Sequence, residues 1–65
     1  MKADRNKLEL AMAKACILPS ELAELAEMPR PTLNGVIKGR NVRPATLGKV
    51  ARALGVNVEE VLEVK

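Results

Sequence analysis

Phe, Tyr and Trp are absent from all 65 residues, so any core must be aliphatic. That absence argues against RRM sheets and OB-folds, which stack bases on aromatic side chains. There is no His and one Cys, Cys16. A structural zinc site lacks ligands and an intramolecular disulfide has no second thiol. The same gaps remove most routes to general acid–base or nucleophilic chemistry at neutral pH, so neither an enzyme nor a cofactor or metal is expected. No apolar run approaches the roughly 18 residues of a membrane helix. Met1–Ile17 has no long uncharged stretch of the signal-peptide kind, which makes the cytoplasm the expected location.

What remains is a globular balance of 48% hydrophobic and 29% charged residues, read as a single domain over 1–65. A domain of this size buries only about 60% of its unfolded surface. The net charge of +3 hides a strong segregation. Residues 20–29 carry Glu21, Glu24 and Glu27 without a compensating cation. Residues 30–52 carry Arg30, Lys38, Arg40, Arg43, Lys49 and Arg52 without an acid. An acid-free cationic third points to a polyanionic partner more than to an ordinary solvated face.

Helical periodicity runs throughout. Leu8, Ala11, Met12 and Ala15 fall on one stripe, predicting a first helix over about 6–15, opened by Asn6 with Glu9 three residues on. Pro19 suits the first turn of a second helix, about 19–26, with Glu21 and Glu24 near its positive end; its cap is either Leu18 or Ser20. Leu33, Val36 and Ile37 give a short third helix, about 30–38, ended by a left-handed Gly39. Leu47, Val50, Ala51 and Leu54 stripe a fourth, started by Pro44 and stopped by Gly55. Val58, Val61 and Leu62 suggest a fifth over 58–63. The expected fold is all-α, five short helices with tight connections.

Two helices joined by about three residues and followed by a basic segment suit one helix to a major groove and its neighbour to the phosphates. The stretch ELAELAEMPRPTLNGVIKG, Glu21 to Gly39, resembles the lambda repressor-like, Cro-type helix-turn-helix family. RPATLGKVARALGVNVEEVL, Arg43 to Leu62, is similar to that family's fourth and fifth helices, and KLELAMAKAC, Lys7 to Cys16, to its first. The resemblance covers nearly the whole chain. It implies a third helix that reads operator DNA and a homodimer on a roughly palindromic site.

The chain departs from the pattern in three places. Glu27 occupies a turn position where relatives often have Gly, which predicts an unusual turn conformation or a shifted helix end. Pro29 stands where Ser or Thr caps the third helix, and with Pro31 it removes two backbone donors from that helix start. Met12 and Ile37 stand where many relatives pair a buried Arg with a Glu, so an apolar contact is expected there.

By the resemblance, base contacts fall to Arg30, Pro31, Asn34 and Gly35. Arg30 can fork onto guanine O6 and N7, and Asn34 can bond adenine N6 and N7. Pro31 offers only apolar contact with a thymine methyl, and Gly35 either admits DNA closely or is merely tolerated. Phosphate contacts fall to Lys38, Arg40, Asn41 and Arg43 after that helix. Thr32 is either a phosphate ligand or bonded to its own backbone, and Ser20 either a phosphate donor or a cap. Lys49 and Arg52 read as solubilising charge, and Cys16 as a small buried apolar residue.

Val56, Val58, Val61 and Val64 are the expected dimer contact, with completion of the core as the competing role of Val58 and Val61. The function so read is sequence-specific double-stranded DNA binding by a small transcription repressor. The alternative is an antitoxin-like protein that masks a partner protein through the acidic second helix and C-terminal segment.

Overall fold

The computed structural model describes residues 1–63. Four α-helices are followed by one 3-10 turn: α1 Arg5–Ala15, α2 Pro19–Leu25, α3 Arg30–Ile37, α4 Pro44–Leu54 and the turn Val58–Glu60. Each start has its own chemistry. Asp4 caps α1, its Oδ1 accepting the Lys7 N–H at 3.0 Å, so the helix opens before Asn6 and the expected Asn6–Glu9 arrangement does not form. Leu18 is the N-cap of α2 with Pro19 at the first position. Glu21 Oε1 accepts the Leu18 N–H at 3.0 Å, which places Ser20 inside the helix and ends its role as a cap. Pro29 and Arg43 precede α3 and α4 with no side-chain cap.

All four helices end alike, with a left-handed residue and two tightening backbone bonds. Gly39 (φ 79°) and Gly55 (φ 72°) do this for α3 and α4 as their sequence positions predict. Cys16 (φ 56°) and Glu27 (φ 54°) do it for α1 and α2 despite their side chains. In the second case the Glu27 N–H reaches the Glu24 carbonyl at 3.1 Å and the Met28 N–H reaches that of Ala23 at 3.0 Å. The unusual turn expected at Glu27 is therefore present. Cys16, expected inside, is exposed, because the left-handed residue that reverses the chain directs its side chain away from the core.

The core is aliphatic. Leu8, Leu22, Leu33, Leu47, Val36 and Val50 are fully buried, one or more from each helix. Burying such a side chain contributes roughly 1.5–3 kcal/mol. Met12 is buried and Ile37 packs against the same cluster, and no charged or polar residue is buried among the described residues.

The C-terminal segment departs from expectation. Instead of a helix over 58–63 there is a single 3-10 turn, with the Asn57 N–H held by Glu60 Oε2 at 2.7 Å. Beyond it the chain extends and pairs with the N-terminus: the Asp4 N–H donates to the Val61 carbonyl at 2.8 Å and the Glu63 N–H to that of Lys2 at 2.9 Å, with an antiparallel bridge between Ala3 and Leu62. A helix this short nucleates poorly on its own, whereas this pairing satisfies the backbone and buries both Ala3 and Val61. Among the described residues the fold is all-helical with four α-helices, not five.

Candidate nucleic-acid interface

The packing of α3 decides what it can offer. Leu33 and Val36 point into the core and are fully buried, which turns Arg30, Pro31, Thr32 and Asn34 to solvent; Gly35 is half-buried. Arg30 Nε donates to Asn34 Oδ1 at 3.3 Å, so these two side chains, one helical turn apart, lie together on the exposed face. Thr32 N–H is satisfied by the Pro29 carbonyl at 3.1 Å, and the two prolines leave few free donors at this helix start.

Past the helix, Lys38, Arg40, Asn41 and Arg43 are all exposed, and no acid occurs between Arg30 and Arg52. The loop is pinned at its far side. Asn41 Oδ1 accepts from the Met1 ammonium at 2.6 Å, and Met1 and Val42 exchange backbone bonds at 2.6 and 2.8 Å. An open groove of about 620 Å³ brings together Thr32, Asn41, Arg43 and Thr46, joining the starts of α3 and α4 to this loop. Ser20 is exposed at the start of α2. Lys49 and Arg52 line a different groove, beside Leu25 and Glu27, and do not join this cluster.

The sequence matches the helix-turn-helix family over residues 2–61. The chain belongs to the lambda repressor-like helix-turn-helix family. Its members are DNA-binding transcription regulators, and α2, the turn through Glu27 and α3 form the helix-turn-helix unit of this one. Comparison with curated proteins and with solved structures gives no significant match. No helix among the described residues is long and apolar enough to cross a membrane.

Two features of this helix-turn-helix unit were not visible in the sequence. One is the Arg30–Asn34 bond, which i, i+4 spacing on a surface helix permits but does not demand. The other is that the Arg40 side chain lies over Gly35: a Cβ built there would sit 3.8 Å from Arg40 Cδ. At the C-terminal end, Val61 is fully buried, so its side chain completes the core and offers no surface to a second copy. Val56 and Val58 are half-buried, and Val64 lies outside the described residues.

Proposed function

We propose that this chain is a sequence-specific repressor that binds double-stranded DNA as a homodimer, laying α3 in the major groove of a near-palindromic operator. The observation that carries the proposal is the exposed, mutually bonded pair Arg30 and Asn34 on the outer face of a helix whose other face is locked in the core. Their donors and acceptors complement those that guanine and adenine edges display in that groove: Arg30 donates to O6 and N7, and Asn34 donates to N7 and accepts from N6. Pro31 contributes an apolar contact beside them. Phosphates are met by Ser20, Thr32, Lys38, Asn41 and Arg43, which fix register and supply the salt-dependent part of the affinity. Occupancy of the operator is the whole mechanism: it blocks other proteins without chemistry.

A single α3 presents few base contacts, so specificity requires two copies on half-sites one helical turn, about 34 Å, apart. Val56 and Val58 supply half-buried apolar surface for that pairing. Selection of bound duplexes from a random pool tests the reading. It predicts enrichment of an inverted repeat with half-site centres about 10 base pairs apart. With about six to eight phosphates met by a dimer, log affinity should fall against log salt with a slope near −5 to −7. Recovery of unenriched sequence, or a flat salt dependence, contradicts it. Retention of a stoichiometric protein partner with no duplex selected would favour the antitoxin-like alternative.

A further inference from the structure

The middle of α3's outer face is chemically blank. Pro31 and Gly35, four residues apart on one row, have no side chain that can hydrogen-bond a base, and each stands where a base-reading side chain is expected. The structure places a cation over that gap. Gly39, in its left-handed conformation, turns the chain back so that the Arg40 N–H bonds the Gly35 carbonyl at 3.0 Å. The Arg40 stem then runs across Gly35, with Cδ in van der Waals range of where a Cβ would be, and the residue remains exposed.

We infer that Arg40 is a base-reading, specificity-determining residue, seated by Gly35, and not a phosphate ligand of the loop. The inference rests on the proposed insertion of α3 into the major groove. Its physical content is that Gly35 provides a bare shelf. A Cβ at 3.8 Å is ordinary contact, so alanine fits beneath Arg40, whereas a branched side chain occupies the volume through which the Arg40 stem passes. Arg40 is exposed on that shelf. There its planar fork can meet the O6 and N7 of a guanine, adding a reader from outside the helix to a face that lacks one at its centre.

The test uses the full chain and the duplex that the wild type selects from a random pool. Arg40→Ala should flatten preference at one base pair of each half-site, with about a 10- to 100-fold loss on the preferred base and little loss on duplexes already mismatched there. Gly35→Leu should erase preference at that same base pair while keeping the wild-type salt slope, because the charge is retained and only displaced. Gly35→Ala should keep the preference intact. In the Gly35→Leu, Arg40→Ala double variant the loss of preference should not add. Circular dichroism melts establish that each variant is folded; if Gly35→Leu unfolds, the Arg40→Ala selection decides alone. A uniform loss on all sequences with a salt slope shallower by about one makes Arg40 a phosphate ligand and overturns the inference. A wild type that selects no sequence overturns the DNA reading itself, which is a distinct result from a selective wild type whose preference survives Arg40→Ala.

Discussion

The two faces of α3 obey different rules. Leu33 and Val36 have no contact with solvent, and their shape fixes where the helix sits. Arg30, Pro31 and Asn34 hold nothing in the core, and their chemistry fixes what the helix meets. In an eight-residue helix the two roles alternate within a single turn, so scaffold and reading head share one backbone. Inner-face substitutions should therefore move stability and leave base preference alone in whatever remains folded. Outer-face substitutions should do the reverse.

The strongest way to break that division is Leu33→Ala. Removing a fully buried leucine should cost about 2–5 kcal/mol, a large part of the stability of so small a domain. A thermal melt followed by circular dichroism should show it; a melt unchanged from wild type would mean that α3 is not held by its inner face. Next is Arg30→Ala, expected to weaken the preferred duplex by about 1–3 kcal/mol and relax specificity at one position. Its melting free energy should stay within about 0.5 kcal/mol of wild type, as for other surface substitutions. Titration of matched and mismatched duplexes checks this, and an equal loss on every sequence would make Arg30 a phosphate ligand.

Two smaller changes sharpen the comparison. Glu27→Gly should stabilise the chain by up to about 1 kcal/mol, because the left-handed turn costs a side-chain-bearing residue what glycine avoids. Urea titration would show a raised midpoint at unchanged slope. Gly35→Ala should add about 0.5–1 kcal/mol from helix propensity while leaving the selected sequence unchanged. A shifted preference there would show that the outer face needs the bare backbone itself.

Much of this fold can be read from the sequence where the signal is local. Pro19 and Pro44 open helices, Gly39 and Gly55 close them, and aliphatic residues at helical spacing mark the buried stripes. What could not be read depends on distant residues. Val58, Val61 and Leu62 fit a helical stripe equally well, and only pairing with Lys2–Asp4, some 58 residues away, makes the segment extend and buries Val61. Cys16 follows an apolar stripe, but it takes the left-handed conformation that ends α1, which leaves it exposed. The Asp4 cap is masked by Asn6 and Glu9, a pair with matching spacing two residues too late.

The candidate interface shows the same split. The cationic stretch and the outward set Arg30, Pro31 and Asn34 follow from composition, period and family resemblance. The seating of Arg40 on Gly35 requires the reversal at Gly39, a property of the assembled turn and not of either residue. Gly35 looks like a defect in a reading helix until the Arg40 side chain that lies over it is seen.

The central claim is that α3 meets base edges in the major groove, and methylation protection on the selected duplex tests it most directly. Dimethyl sulfate attacks guanine N7, which lies in the major groove, and adenine N3, which lies in the minor groove. At saturation the wild-type chain should shield guanine N7 within each half-site and leave adenine N3 reactive, and Arg30→Ala should expose one shielded guanine again. Guanines that react as in free DNA at full occupancy, with shielding confined to adenine N3, would contradict the account.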